Sequence, residues 1–256
     1  YGSARTLVYG LGRSMSQFEI LSILLIALSP AVGSFLGVLV DRLPRGEDVI
    51  VTPSACRSCK AKLRWFELVP VLSFLVQRGR CKGCTSSIPP WVFYIEVLAI
   101  GAAVLGVIAS QGHILDAVLT TIFLWMLLAL AIADARWFRL PDVLNAALAA
   151  SALLLASLPS GIGMQAVYGA LIGGLSFLIL RVGYPWVRGR DGLGLRDVKL
   201  MVGLGAFIGP FTLPWMLMIA ACTALSVALV QQLNRAQRVD LQTPLPFGTA
   251  LCAATF

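Results

Sequence analysis

The sequence predicts an all-α polytopic membrane protein, a bundle of about eight transmembrane helices with a small polar insert after the first. Three observations predict it. Of the 256 residues, 58% are hydrophobic and 12% are charged, and the mean hydropathy is +0.86, far from the balance of a soluble domain. The apolar residues gather in runs long enough to cross a bilayer. The positive charges fall almost entirely on alternate loops between those runs.

Residues 1–17, with Arg5 and Arg13, form an N-terminal tail, and the absence of a short apolar core there argues against a cleavable signal sequence. Residues 18–40 form the first span. The polar insert occupies 41–90, and the rest, 91–256, is expected to be one transmembrane bundle. Its first two spans are 91–109 and 115–133. Between Asp142 and Arg181 lie 38 residues without a charge, about twice the ~20 that cross a bilayer as a helix. That run therefore holds two spans, turning at Leu158-Pro159-Ser160-Gly161-Ile162-Gly163. Leu200 to Asn234 is broken by Gly209-Pro210 in the same way, and a last segment opens at Phe247. No repeat, low-complexity tract or dinucleotide fingerprint is visible.

Orientation follows from charge. With the tail outside, the inner segments are 41–90, 134–142, roughly 181–199 and 231–246, and they hold 18 of the 20 Lys and Arg residues. Positive residues in short loops mark the cytoplasmic side. The net charge of +8 reflects this asymmetry and the partner it implies is a lipid bilayer, with no need for nucleic acid. Asp134 and Asp197 then both lie at the cytoplasmic edge, each where an apolar run meets arginines. A carboxylate in that position is expensive and is a functional candidate by default.

The chemistry open to such a site is narrowed by what is missing. The one histidine, His113, falls in a predicted external loop, whereas an HExxH metalloprotease needs two. A carboxylate pair needs neither histidine nor metal: held close, one acid polarises an amide carbonyl while the other takes a proton from water. Asp142 is expected to serve the dipole of the helix it opens. Gly203, Gly205 and Gly209 argue for close helix packing beside Asp197.

Within the insert, Cys56-Arg57-Ser58-Cys59 and Cys81-Lys82-Gly83-Cys84 are two CxxC knuckles separated by 21 residues. Four thiolates on two turns are a tetrahedral zinc set, making 41–90 a small cytoplasmic zinc-binding domain. Disulfides are the alternative, disfavoured in a reducing compartment. A redox pair would need only one CxxC. Cys222 and Cys252 lie in apolar runs as packing residues.

Longer stretches carry a resemblance. The insert contains Trp65-Phe66-Glu67-Leu68-Val69-Pro70-Val71-Leu72-Ser73-Phe74 and Gly79-Arg80-Cys81-Lys82-Gly83-Cys84, preceded by Gly33-Ser34-Phe35-Leu36 and Arg42-Leu43-Pro44. Downstream, Asp134 is followed by Pro141-Asp142, Gly192-Leu193-Gly194 precedes Asp197-Val198-Lys199-Leu200, and Pro246-Phe247-Gly248 opens the last segment. From about Gly33 onward, in order, the chain resembles the bacterial type IV prepilin peptidases, the leader peptidase/N-methyltransferases.

The resemblance implies that Asp134 and Asp197 are the dyad of a GxGD-type intramembrane aspartyl protease, with Gly192, Gly194 and Lys199 in support. It implies prepilin or pseudopilin substrates of type IV pilus or type II secretion systems, cut after a short basic leader at the cytoplasmic face of the bacterial inner membrane. It also implies N-methylation of the new N-terminus with S-adenosylmethionine, in a region that includes Glu96. In three respects the chain departs from that family: Arg196 stands where glycine usually precedes the second aspartate, Gly37 where asparagine is usual in the first helix, and Ile88-Pro89-Pro90-Trp91-Val92-Phe93 where an arginine, tyrosine and proline usually precede Glu96. A catalytically impaired homologue, or a non-enzymatic assembly and docking factor, is the competing expectation.

Overall fold

The computed structural model describes residues 16–49, 51–188, 194–234 and 247–255, and among these the protein is all-helical. Helix α1 spans Gln17–Arg42, α2 is a short helix in the insert, Leu72–Val76, and α3 spans Pro90–Ala109. Then follow α4 (Ile114–Trp137), α5 (Asp142–Ala156), α6 (Met164–Arg188), α7 (Leu195–Ile208), α8 (Leu213–Asn234) and α9 (Phe247–Thr255). Ser16 starts α1 through a capping box: its hydroxyl accepts the Glu19 N–H while Glu19 accepts the Ser16 N–H at 2.8 Å.

Five helices are long and apolar enough to cross a membrane: α1, α3, α4, α6 and α8. Every expected apolar segment is helical, yet α5, α7 and α9 have only 15, 14 and 9 described residues. At ~1.5 Å per residue, α5 is about 22 Å long, short of the ~30 Å hydrocarbon layer. Local sequence stops these helices. Gly209, at a φ of 80°, turns the chain out of α7 ahead of Pro210, and Pro141 precedes the first residue of α5. The outward faces of α1, α6 and α8 expose Ile23, Leu24, Leu171, Leu175, Ile219 and Leu225, as expected of surfaces that meet lipid.

The core runs along α4, where Phe123, Leu127 and Leu130 have no exposed surface. This helix packs on α1, α3, α5 and α9, while α7 packs on α5 and α6. Trp125 of α4 donates its indole N–H to the Ala99 carbonyl of α3 at 3.0 Å. Between α6 and α7, Gly169 and Gly205 meet backbone to backbone, with no room for a β-carbon on either. The close approach expected of the α7 glycines is therefore present at Gly205.

Candidate active site and cysteine cluster

Asp134 lies one turn before the end of α4 and Asp197 in the first turn of α7. Phe123 and Phe207 stack between these two helices with centroids 4.0 Å apart and planes 13° from parallel. From that stack, Asp134 is 11 residues along α4 and Asp197 is 10 residues back along α7, about 16 and 15 Å at 1.5 Å per residue. Since α4 approaches and α7 leaves the same end of the bundle, both carboxylates come to one level. They are near enough for the charge of Asp134 to act on Asp197.

Each carboxylate sits at the start of a helix. Asp134 Oδ2 accepts the backbone N–H of Thr249 at 2.7 Å, and the Thr249 hydroxyl is 3.1 Å from both that oxygen and the Ala131 carbonyl. These donors belong to the first turn of α9, where helix N–H groups lack internal partners. Asp197 Oδ2 accepts the Gly194 N–H at 3.2 Å, and the Asp197 N–H returns to the Gly194 carbonyl at 3.2 Å. Two helix N-termini therefore face the acids, a field that makes negative charge tolerable at this depth. Gly248 completes the fit: a methyl there would lie 2.9 Å from Asp134 Oδ2.

Other expected site residues fall around this pair. Gly194 is the N-cap of α7, whereas Gly192 lies outside the described residues. Lys199 is drawn away to Asp142, the first residue of α5, at 2.8 Å; both side chains are exposed, so the bridge ties α7 to α5 with ~1 kcal/mol or less. Arg196 lines a cleft of about 430 Å³ with Pro44, Arg45, Gly46, Arg139 and Asp142. His113 lines a different cavity, about 280 Å³, with Asp116, Thr120 and Phe207, at the opposite end of α4 from Asp134. Two polar residues carry no charge signal in the sequence and were not anticipated: Thr249 on Asp134, and buried Asn145 on α5.

Glu96 is 5% exposed on α3, and its Oε2 accepts the backbone N–H of Val71 at 2.7 Å. Val71 has a φ of 61°, an uncommon conformation for a β-branched residue, and it precedes α2. Glu96 thus fixes the insert onto the bundle. Phe74 of α2 stacks on Phe93 of α3 at 5.0 Å, and Arg57 pairs with Asp41 at 2.6 Å.

The two knuckles repeat one local design. Lys60 donates to the Cys56 carbonyl and Thr85 to the Cys81 carbonyl, while Cys56 and Cys81 donate to the carbonyls of Ala61 and Ser86. Lys60 and Thr85 both have positive φ, 58° and 56°, as each chain folds back. The four sulfurs lie within 4.8 Å of one another, and Cys56 and Cys84 are 3.8 Å apart. Zinc–sulfur bonds of ~2.3 Å in a tetrahedron separate sulfurs by about 3.8 Å, whereas a disulfide needs ~2.05 Å. The cluster therefore fits a tetrahedral metal and none of the four is disulfide-bonded. Backbone N–H groups of Cys59 and Ser58 draw the Cys56 thiol down to about 6, and the Ser86 hydroxyl and N–H lower that of Cys84. Both shifts favour the thiolate that a metal requires, while Cys59, despite the Ala61 N–H, is pushed up to about 11 by the crowding sulfurs of Cys56 and Cys84.

Comparison with known proteins agrees with this arrangement. Residues 27–110 match the family model of the bacterial peptidase A24 N-terminal domain, and residues 121–229 match that of the type IV leader peptidase family. The prepilin leader peptidase/N-methyltransferase of Dickeya chrysanthemi is 32% identical over 92% of this chain and 90% of its own. The protein of that name from Burkholderia pseudomallei strain 1026b is 33% identical, covering 89% and 81%. That from Dichelobacter nodosus is 31% identical over 87% and 85%. No solved structure matches the chain.

Proposed function

Because the chain belongs to the type IV leader peptidase family, we propose that it is an aspartic endopeptidase that removes the short basic leader of type IV prepilins or pseudopilins, using Asp134 and Asp197. The observation that carries this reading is the shared level of the two carboxylates, each at a helix N-terminus and within electrostatic reach of the other. Such a pair titrates as a unit. With one proton between them, the ionised acid takes a proton from water while the protonated acid donates a hydrogen bond to the scissile carbonyl. Water oxygen adds to the carbonyl carbon, and collapse of the tetrahedral intermediate passes a proton to the departing amine. The products are a leader ending in a carboxylate and a mature pilin with a free N-terminus.

Eight spans, with α5, α7 and α9 as short crossings, set the acids at the cytoplasmic side of the bacterial inner membrane by the distribution of Lys and Arg. The relatives' names join leader cleavage to N-methyl transfer, and we infer the same second activity here, with S-adenosylmethionine as methyl donor. Zinc is the metal assigned to Cys56, Cys59, Cys81 and Cys84, a ligand set for which it is the usual ion. The region around Glu96 is then the seam between the zinc domain and the bundle, a fit for a role in methyl transfer that involves both.

The test is incubation of the purified protein in detergent with a prepilin, followed by mass measurement with and without S-adenosylmethionine. Leader loss is expected in both cases and addition of one methyl mass only with the donor. Asp134→Ala and Asp197→Ala should each reduce cleavage by at least about a thousandfold. Full cleavage by either variant would remove the dyad.

A further inference from the structure

Asn145 is 3% exposed, and neither its Nδ2 nor its Oδ1 has a hydrogen-bond partner among the described residues. A buried carboxamide with both ends open is unusual, because each unmade bond carries a desolvation cost. Its position suggests what the bonds are for. It lies on α5 in the buried stripe that includes Leu144, Leu148 and Ser151, and α5 packs against both aspartate helices, α4 and α7. A β-carbon on Gly203 would lie 3.0 Å from Leu148, and Lys199 meets Asp142. These two contacts make α5 and α7 parallel and bring Asn145 level with about Leu200, one turn deeper than Asp197.

We propose that Asn145 is a substrate-binding residue of the peptidase site, whose carboxamide takes the backbone of the peptide laid between Asp134 and Asp197. A carboxamide offers an N–H donor and a carbonyl acceptor, the complement of one peptide carbonyl and one peptide N–H. Bound there, the substrate backbone supplies the two missing partners and is held one turn from the acids that hydrolyse it. The inference rests on the peptidase reading above. An apolar residue of similar volume would serve the packing of α5 equally well, so packing alone gives the amide no role.

Asn145→Leu keeps the branched shape and removes both polar atoms; Asn145→Ala removes them without the added bulk of the two methyl groups. Cleavage of a purified prepilin is expected to fall by tenfold to a hundredfold in kcat/KM in both variants, with the melting temperature unchanged or raised. Prepilin binding to the same variants on an Asp197→Asn background should weaken in parallel. Either variant cleaving within threefold of wild type would overturn the inference while leaving the dyad intact. A fall in activity that follows a fall in melting temperature in both variants would make Asn145 structural and overturn it too. Wild-type protein that leaves prepilin whole, or an Asp134→Ala protein that cuts it, would remove the peptidase reading and this inference with it.

Discussion

Asp134 is held by two adjacent residues whose contributions can be separated. Gly248→Ala would put a methyl 2.9 Å from Oδ2, closer than side-chain carbons approach oxygen, and the carboxylate or the start of α9 must shift. A displacement near 1 Å costs on the order of a hundredfold in rate, so cleavage should fall by about that factor in a protein that still melts cooperatively. Thr249→Val leaves the backbone N–H at 2.7 Å and removes only the hydroxyl at 3.1 Å. One hydrogen bond to a charged group contributes ~1.5–3 kcal/mol, and a loss of about tenfold in kcat/KM is expected. Equal losses from both substitutions would mean that α9 acts through its packing and not through its first-turn donors. Arg196 is a different case: it lines the cleft beside Arg45 and Arg139, and its charge reaches Asp197 without forming an ion pair with it, so Arg196→Gly is expected to change cleavage less than about threefold. A many-fold rise would show that the guanidinium restrains Asp197.

Three short elements surround the acids: α7 carries Asp197, α9 binds Asp134, which itself sits on the long helix α4, and α5 packs beside both. α5, α7 and α9 each begin at the end of the bundle where Asp134 lies, and donors at the starts of α7 and α9 bond the two acids, whereas the long helices α1, α3, α6 and α8 form the lipid-facing frame around α4. Seating α7 depends on the Gly169–Gly205 contact with α6. Gly205→Leu must separate those backbones, and a loss of about 2–4 kcal/mol in bundle stability is expected in chemical unfolding, with cleavage lost at temperatures where wild type is active. How much of this was legible in the sequence depended on charge and punctuation. Apolar runs with Pro and Gly breaks marked the bundle helices but not α2 of the insert, and Asp134, Asp197 and the four cysteines stood out because an acid or a CxxC pair is rare in such a setting. Helix lengths were not legible, because an apolar run does not say where its hydrogen-bonded ladder stops. Asn145 and Thr249 were not legible either: an uncharged polar residue in an apolar helix gains meaning only from the neighbour it faces, and Asp134 is 115 residues from Thr249. The partner of Lys199 was not legible for the same reason, since Asp142 comes from another helix.

At the scale of the whole molecule, the insert and the bundle are stabilised by different means. From Arg45 to Pro90, no described residue is fully buried, so the insert has no apolar core and falls in the size range where a metal or cross-link must replace one. Its ties to the bundle include the Val71–Glu96 hydrogen bond, the Phe74–Phe93 stack, the Arg57–Asp41 pair, and Arg42 reaching the Thr52 carbonyl at 2.7 Å. Together these supply a few kcal/mol, while a four-thiolate zinc site in a small domain supplies ~10–16 kcal/mol at neutral pH. The bundle needs no such staple, because α4 buries most of its residues from Phe123 to Ala133 against its neighbours. Removing the metal should therefore unfold one part and spare the other. The purified protein is expected to hold about one zinc per chain by elemental analysis, and Cys59→Ser or Cys84→Ser should bring that well below half. After chelation, limited proteolysis should cut freely between residues 47 and 88 while the helical circular dichroism changes by less than a tenth. Cleavage of prepilin should persist at a reduced rate, since Asp134 and Asp197 are positioned by α4, α7 and α9, and methyl addition should be lost. A bundle that melted together with the insert on chelation would show that the Glu96–Val71 seam couples the two parts more tightly than its contacts indicate.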